Sequence, residues 1–305
     1  MLYASKTAAQ KRKDLRDMLA SNQIRQFPGS YTPLSARLIE EKGFDGVYVS
    51  GAVLANELGF PDVGLTTLSE VAQRAGQIAR LTNLPTIVDA DTGFGEPMNV
   101  ARTIQEFEEY GLAGCHIEDQ FNPKRCGHLD NKNMVDLETA TKRIKAAAEA
   151  RRDENFLIMA RTDLRGTSSL EETIDRIKAL VDAGADAIFP EALKNLDEFK
   201  AVCDAVEVPV LANMTEFGKS ELYSKEQLAQ AGISLIIYPV TLLRSSLGAM
   251  EQVLETIEHD GTQEAFVDQM FTRSRLYDLV DYEAYNQFDT GIFNFEVPGK
   301  FENSH

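Results

Sequence analysis

The sequence predicts an α/β protein in which eight parallel strands close into a barrel, and three features support that prediction. Eight short apolar runs, rich in β-branched residues, recur along the 305 residues. The runs are continuously apolar rather than alternating, as expected for strands buried on both faces of a parallel sheet. A helix-like segment follows each run. Eight such units in one chain indicate a (β/α)8 TIM barrel.

The strands and several helices can be assigned in chain order. The predicted strands are Gln23–Pro28, Gly46–Ser50, Thr86–Ala90, Gly114–Ile117, Phe156–Ala160, Ala187–Phe189, Val208–Ala212 and Ser234–Tyr238. Between them, segments such as Leu137–Ala150 and Leu170–Ala183 have apolar residues at helical spacing. A glycine separates a helix from the next strand four times, where a helix C-terminal glycine is expected. These glycines are Gly43, Gly111, Gly184 and Gly232.

The domain organisation follows from the same pattern. We expect residues 1–305 to form a single domain, with the barrel at about 23–262, a C-terminal helical extension at about 263–305 and an extra helix at the N-terminus. A doubly wound open sheet is the alternative. No G-x-G-x-x-G motif follows the first predicted strand, which favours the barrel.

Composition narrows the classes of function. The chain has 31 Lys and Arg against 48 Asp and Glu, a formal net charge of −17. This field repels DNA and RNA, so we do not expect a nucleic-acid partner. No apolar run is long enough to cross a bilayer, so no membrane role is expected either. Three cysteines cannot all pair, which is typical of a reducing compartment and predicts a cytoplasmic location.

Polar residues follow the apolar runs, and in a TIM barrel the chemistry lies at the C-terminal ends of the strands. Asp89 and Asp91 are two residues apart at the end of the third predicted strand, so we expect both side chains to face the barrel mouth. Two converging carboxylates favour a cation between them, and oxygen ligands are typical of Mg²⁺, with Mn²⁺ as a substitute. Glu118, which follows the fourth run, is expected to hold a metal-bound water. For any single Asp, helix capping or pairing with an Arg is the alternative.

A long polar loop, Phe121–Met134, follows the fourth predicted strand and has the composition of a mobile lid. Cys126 lies in this loop among Lys124, Arg125 and His128. Positive neighbours lower the pKa of a thiol, which makes Cys126 a candidate proton carrier.

Other polar residues are candidates for binding carboxylates. Arg161, Arg244 and Arg273 can each hold a carboxylate through two parallel hydrogen bonds. Arg161 is the strongest candidate because it ends a buried strand, where an unpaired charge is costly. Asn213 and Thr215, two apart on the seventh strand, are expected to face the barrel mouth together. Surface salt bridges and turn capping are the alternative roles of these residues.

Several motifs together resemble the isocitrate lyase and methylisocitrate lyase group. Residues Lys124–His128 (KRCGH) are similar to the K-[KR]-C-G-H signature of that group, which is highly specific. The other matching segments are Val88–Gly95 (VDADTGFG), Ile117–Gln120 (IEDQ), Ala160–Asp163 (ARTD) and Asn213–Gly218 (NMTEFG). The resemblance covers nearly the whole chain and is greatest to the methylisocitrate lyases, because isocitrate lyases carry large insertions that are absent here.

The resemblance implies a carbon–carbon lyase that cleaves the tricarboxylate 2-methylisocitrate into pyruvate and succinate, in the methylcitrate cycle of propionate breakdown. It implies Mg²⁺ on Asp89 and Asp91, and a homotetramer in which C-terminal helices swap between subunits. The candidate catalytic residues are Cys126, Tyr48, Lys124, His128 and Glu118, with Cys126 as the proton donor to the succinate carbon. The substrate-binding residues it implies are Ser50, Gly51, Ala52, Cys126, Gly127, Arg161, Glu191, Asn213, Met214, Thr215, Arg244 and Arg273. Several relatives have glycine where Ala52 stands.

Three alternatives remain at this level. Isocitrate lacks only one methyl group, a difference of roughly 1–3 kcal/mol in recognition, so isocitrate lyase activity is one alternative. An oxaloacetate decarboxylase or a phosphonate-forming mutase of the same superfamily is the second, but those enzymes generally lack a cysteine in this loop. A non-catalytic barrel that binds organic acids is the third, and it would have no use for an activated thiol.

Overall fold

The computed structural model describes residues 4–21, 23–125, 133–218 and 220–295. The strands are β1 (Arg25–Pro28), β2 (Val47–Val49), β3 (Thr86–Asp89), β4 (Gly114–Glu118), β5 (Leu157–Thr162), β6 (Ala187–Pro190), β7 (Leu211–Asn213) and β8 (Leu235–Tyr238). The helices are α1 (Ala8–Ala20), α2 (Pro33–Glu41), α3 (Gly51–Glu57), α4 (Leu68–Ala79), α5 (Pro97–Glu109), α6 (Leu137–Ala150), α7 (Leu170–Asp182), α8 (Leu196–Ala205), α9 (Lys225–Gln230), α10 (Thr241–Asp260), α11 (Arg273–Leu279) and α12 (Tyr282–Phe293).

The strands form a closed parallel ring. β2 to β6 pair in chain order, and β8 pairs with both β1 and β7. Single bridges between Gly29 and Tyr48 and between Ile188 and Val210 join these two sheets at both edges. The strand order is therefore cyclic, and the predicted eight-stranded α/β barrel is confirmed.

Strand and helix positions agree closely with the sequence pattern. Each predicted strand overlaps one strand of the structure, and α6 has the predicted bounds. The seventh strand starts later than predicted, at Leu211 instead of Val208, and Pro209, which has no N–H to donate to the sheet, precedes that start. The four glycines at helix ends have positive φ values of 78°, 81°, 112° and 92°, as a C-terminal cap requires.

The core has two layers because alternate residues of each strand point to opposite faces. The outward layer packs under the surrounding helices, with β4 contributing Cys115 and Ile117. The inward layer fills the barrel and includes Phe27, Leu157 and Phe189. Two residues of the inward layer come from α1, namely Leu15 and Leu19. The N-terminal helix therefore closes one end of the barrel, and the site described below lies at the other end.

The C-terminal helices α10, α11 and α12 cover little of this core. Neither α10 nor α12 contains a buried residue, and large apolar side chains such as Leu254 and Phe288 are 66% and 60% exposed. Among the described residues, every helix is too short or too polar to span a bilayer.

Candidate active site

Polar side chains gather at the C-terminal ends of five neighbouring strands. Asp89 is the last residue of β3 and Glu118 the last of β4, while Arg161 lies one residue before the end of β5. Glu191 follows β6 directly, and Asn213 is the last residue of β7. Parallel strands bring these ends to one rim, so residues that are far apart in sequence form one site.

Asp89 and Asp91 lie together, but not for the reason predicted. β3 ends at Asp89, and Asp91 has a φ of +46°, in the left-handed region. A tight turn, rather than alternation along a strand, folds Asp91 back so that its N–H donates to Asp89 Oδ1 at 2.9 Å. The Gly51 N–H donates to Asp89 Oδ2 at 3.2 Å. A Cβ on Gly51 would lie 3.0 Å from that oxygen, so glycine leaves space beside the pair.

Burial and neighbouring charges shift the pKa values of the acidic side chains in this cluster. Burial, and after it the neighbouring Asp89, raises the pKa of Asp91 to about 6 against the opposing effect of Lys124. Burial also opposes the charge on Asp89, but His116, Lys124 and Arg161 hold its pKa below the usual range. Burial raises the pKa of Glu118 well above its usual value. The two aspartates are thus driven apart in acidity, as expected of carboxyls that share a site.

The donor set suits a hydrated divalent cation. Neither carboxylate oxygen of Glu118 accepts a hydrogen bond from the described residues, although both are buried. Oε2 lies 3.3 Å from the Arg161 guanidinium, whereas Oε1 has no such cation beside it among those residues. A buried oxygen of this kind is costly unless a cation or ordered water satisfies it. In the described part of the chain, no three His, Cys, Asp or Glu side chains form a preformed metal cage. A cation that keeps several waters, such as Mg²⁺, fits a pair of carboxylates better than one that needs a full protein cage.

Lys124 forms two ion pairs within this cluster. Its Nζ lies 2.7 Å from Asp91 Oδ1 and also contacts Asp62 Oδ1. Burial opposes the charge, but Glu118, Asp91 and Asp89 outweigh it and raise the pKa of Lys124 above its usual value. Asp62, in the segment between α3 and α4, was not predicted from the sequence, because no local pattern shows that this segment reaches the site.

Arg161 is the second cation of the cluster, and its partners within the chain are protein carboxylates. Its binding of a substrate carboxylate stays a prediction. Arg161 donates from Nε and Nη2 to both oxygens of Asp163, at 2.9 and 3.2 Å. It also lies 3.3 Å from Glu118 Oε2 and 3.3 Å from Glu191 Oε2. Its guanidinium stacks over Phe189 at 5.0 Å. Six carboxylates therefore surround the two cations Lys124 and Arg161, which leaves a formal excess of four negative charges. The carboxylates are those of Asp62, Asp89, Asp91, Glu118, Asp163 and Glu191.

Tyr48 lies inside the barrel beside a histidine that was missed. The Tyr48 hydroxyl is 2.7 Å from His116 Nε2, and His116 Nδ1 is 3.7 Å from Asp89 Oδ1. Burial lowers the pKa of His116 to about 4 and raises the pKa of Tyr48 well above its usual value. Both residues are therefore neutral near pH 7. His116 could have been found from sequence, since it precedes Glu118 by two residues and so shares its strand face.

The remaining wall of the site comes from β7 and the segments after it. Asn213 Nδ2 donates to Glu191 Oε2 at 3.2 Å. Arg244 Nη1 lies 3.3 Å from Thr215 Oγ1 and donates to the Glu216 carbonyl at 2.8 Å. Thr215 follows the end of β7 rather than lying on the strand, so the predicted alternation with Asn213 is wrong, although both reach the same wall. Met214 is buried between them.

The other predicted site residues fall into three groups. Ser50 caps α3, and Gly51 and Ala52 begin that helix at the same rim. Cys126, Gly127 and His128 lie outside the described residues.

Arg273 is the third case, and this chain does not bring it to the site. It begins α11, whose Arg275 contacts Glu41 at the end of α2. Because α2 starts at the rim that carries the site and runs back along the barrel, Glu41 lies towards the opposite end.

Comparisons with known proteins agree with this geometry. The profile of the phosphoenolpyruvate phosphomutase family matches residues 15–258. A relative in Corynebacterium glutamicum, named probable 2-methylisocitrate lyase 2, is 54% identical over 97% of both chains. A crystal structure of 2,3-dimethylmalate lyase, a member of the PEP mutase/isocitrate lyase superfamily, superposes with a TM-score of 0.87 at 34% identity, covering 96% of this chain and 99% of the other.

A further similar structure bears on the metal. It is phosphonopyruvate hydrolase in complex with oxalate and Mg²⁺, with a TM-score of 0.81 and 26% identity over 93% of this chain and 99% of the other. Several curated relatives named 2-methylisocitrate lyase, probable ones included, are 40–54% identical to this chain. The chain therefore belongs to the 2-methylisocitrate lyase family, within the PEP mutase/isocitrate lyase superfamily.

Proposed function

We propose that this chain is a carbon–carbon lyase that cleaves 2-methylisocitrate into pyruvate and succinate. The observation that carries the proposal is the buried cluster at the barrel rim, in which Asp89, Asp91 and Glu118 face Arg161 and Lys124. Such a cluster is costly to bury unless it has a function. The relatives named 2-methylisocitrate lyase support the choice of substrate. They also favour this activity over those of an isocitrate lyase, a decarboxylase or a non-catalytic barrel.

Mg²⁺, with Mn²⁺ as a substitute, is the proposed cofactor, and Asp89 and Asp91 are its proposed ligands. Glu118 would accept a hydrogen bond from water around the cation, which accounts for its unsatisfied oxygens. When bound, the cation supplies positive charge that stabilises oxygen anions formed in the reaction. The known binding of Mg²⁺ by phosphonopyruvate hydrolase supports this assignment.

The residues around the cluster divide between the two halves of the substrate. Ser50, Gly51 and Ala52 lie at the rim next to Asp89 and would bind the half that becomes pyruvate. The residues of the opposite wall would bind the half that becomes succinate, namely Arg161, Glu191, Asn213, Thr215 and Arg244. Met214 would contribute through its backbone, because its side chain packs in the outward layer. The guanidinium groups offset part of the chain's negative charge where the tricarboxylate binds.

The proposed reaction moves one proton out of the substrate and one into a product. The C2 hydroxyl loses its proton, its electrons form the pyruvate carbonyl, and the C2–C3 bond breaks. The electron pair of that bond remains on the succinate half as an enediolate, which Arg161 stabilises. The thiol of Cys126 then protonates the carbon, with Lys124, Gly127 and His128 as its neighbours in the loop. Tyr48 is the candidate acceptor of the hydroxyl proton. Because its own hydroxyl is protonated near pH 7, Tyr48 would pass that proton to His116 Nε2, 2.7 Å away, as it takes the proton of the substrate.

A direct assay tests the proposal. The purified chain with Mg²⁺ is expected to form pyruvate and succinate from 2-methylisocitrate and less succinate from isocitrate. With oxaloacetate, pyruvate is expected to form no faster than without the protein. No pyruvate from 2-methylisocitrate, or faster turnover of isocitrate, would reject the assignment. Excess EDTA is expected to abolish the reaction and Mg²⁺ to restore it. The Cys126→Ser variant is expected to lose at least roughly 100-fold in kcat while still binding the substrate, because general acid catalysis contributes on that order.

Three finer statements belong to the same proposal. The reaction would serve propionate breakdown through the methylcitrate cycle, in the cytoplasm. The functional unit would be a homotetramer, in which exposed α10 and α12 contact other subunits. C-terminal helices swapped between subunits would bring Arg273 of one copy to the site of another, which would explain why Arg273 is remote within a single chain.

A further inference from the structure

Lys124 and a divalent cation need the same carboxylate. The Lys124 ammonium lies 2.7 Å from Asp91 Oδ1, and its side chain is only 3% exposed. Asp91 is one of the two proposed metal ligands, and its N–H is held by Asp89 Oδ1, so the two carboxylates form one unit. A buried ammonium at this position is strongly coupled to whatever else binds that unit.

Two cations on one side of a buried acid pair repel each other. A metal ion bound to Asp91 would lie within a few ångströms of the ammonium, where solvent screens the repulsion poorly. Some of the attraction that Asp91 offers a metal is therefore already used by Lys124. The lysine lowers the affinity of the site for a metal by this competition.

Asp62 makes that competition reversible. Its Oδ1 contacts the same ammonium, from the segment between α3 and α4. An ammonium that is pushed away from Asp91 still has a carboxylate partner, so displacement does not leave a buried charge unpaired. Gly64, with a φ of +71°, lies close to the lysine stem: a Cβ built on it would be 3.4 Å from Lys124 Cγ. The surroundings thus keep the lysine between two carboxylates.

We propose that Lys124 competes with the divalent cation for Asp91, and that this competition sets the metal affinity of the site. The inference rests on the proposed function, since it takes Asp89 and Asp91 as the metal ligands. It assigns to Lys124 a role that is separate from any contact with the thiol of Cys126. An enzyme with such a lysine holds its metal loosely and exchanges it with the surrounding pool.

Direct metal binding tests this inference. Mn²⁺ is titrated into the full-length protein, and free Mn²⁺ is measured by electron paramagnetic resonance. Lys124→Gln removes the charge and is expected to lower the Kd for Mn²⁺ by about tenfold, because the repulsion between two close cations is lost. Lys124→Arg keeps the charge and is expected to stay within about twofold of the wild type. A Kd for Lys124→Gln that is equal to or above the wild-type value would overturn the inference.

A second variant and a thermal-stability measurement keep the inference testable if Lys124→Gln does not fold. Lys124→Met keeps an unbranched side chain without the charged end, and the same concentration of Mn²⁺ is expected to raise its Tm by more than it raises that of the wild type. An equal or smaller rise counts against the inference. Asp89→Asn is the control for the site, and it is expected to raise the Kd for Mn²⁺ at least about tenfold.

The outcomes separate the inference from the proposed function. If the wild type cleaves 2-methylisocitrate and its Mn²⁺ binding depends on Asp89, the proposed function stands. An unchanged Kd in Lys124→Gln then rejects the role of Lys124 alone. If Asp89→Asn binds Mn²⁺ like the wild type, the metal assignment fails and the inference fails with it.

Discussion

Arg161 contacts three carboxylates at the centre of the site. It pairs with both oxygens of Asp163 and lies 3.3 Å from Glu118 and from Glu191. Burial opposes its charge, but these carboxylates raise the pKa of Arg161 well above its usual value, so it stays charged. The side chain is therefore needed by the fold as well as by the proposed reaction.

This double role predicts a large loss of stability in Arg161→Met. The substitution leaves buried carboxylates without their cation, which costs about 3–5 kcal/mol in the free energy of unfolding. Urea denaturation at pH 7 measures it. Arg152→Met is the matched control, because its pair with Glu109 is more than 60% exposed on both sides and contributes below about 1 kcal/mol. Equal losses in the two variants would contradict the buried network.

The burial of His116 predicts that the stability of the folded chain depends on pH. The pKa of His116 is lowered by burial to about 4 in the folded chain, whereas an exposed histidine titrates near 6.5. Between these values the unfolded chain binds a proton that the folded chain does not, so stability falls as pH falls from about 6.5 towards 4. At pH 5 the loss relative to pH 7 is about 2 kcal/mol.

Urea denaturation of the wild type and of His116→Asn at pH 7 and pH 5, both in EDTA, checks this prediction. The variant has no titrating ring at this position, so its stability is expected to fall about 2 kcal/mol less than that of the wild type between the two pH values. The comparison cancels the other titrating groups, which the two proteins share. A fall of the same size in both proteins would mean that the pKa of His116 is not lowered in the folded chain.

At the scale of the elements, α1 acts as part of the core although it precedes the barrel. Leu15 and Leu19 belong to the layer of side chains inside the barrel, together with Phe27 and Leu157. Arg12, on the same helix, donates to the carbonyls of Leu112 and Glu108 at 2.9 and 2.6 Å. The helix therefore satisfies backbone groups at the end of the barrel as well as filling it.

Shortening one side chain of α1 tests this role. Leu15→Ala removes a fully buried side chain from a packed layer, so we expect it to cost about 2–5 kcal/mol in the free energy of unfolding. Lys13→Ala, on the exposed face of the same helix, removes only an exposed pair with Asp17 and is expected to leave the free energy of unfolding close to the wild-type value. Equilibrium denaturation compares them. A small loss in Leu15→Ala would show that α1 is not part of the cooperative core.

The elements could be predicted from sequence because their signals are local. Continuous apolar runs and helix-end glycines such as Gly184 depend on a few neighbouring residues, and both were found at the expected places. The site could be predicted in part, because the barrel brings every strand end to one rim. The pairing of Lys124 with Asp62 could not, since it joins two loops that are 62 residues apart. The turn at Asp91 was also missed, because a left-handed aspartate has no clear sequence signal.

At the scale of the whole molecule, many of the exposed large apolar side chains lie on the C-terminal helices. The chain has a net charge of −17, yet its C-terminal helices expose a row of large apolar side chains. On α10 these are Leu247, Met250, Leu254 and Ile257. Their spacing of three and four residues places them on one face of the helix. An apolar face of this kind on an acidic protein indicates a contact surface, and contact with copies of the same chain fits the proposed homotetramer.

We predict that a charge placed on this face of α10 changes the oligomeric state. Leu254→Glu, at a side chain that is 66% exposed in the single chain, puts a carboxylate into the proposed interface, where its desolvation is costly. We expect the variant to elute as a smaller species than the wild type in size-exclusion chromatography with light scattering at the same micromolar concentration. Leu222→Glu, equally apolar and 61% exposed but remote from α10 in sequence, is the control and is expected to keep the wild-type mass. If Leu254→Glu also keeps the wild-type mass, α10 does not form the interface. A monomeric wild type would contradict the proposed tetramer, and with it the explanation for the remote position of Arg273.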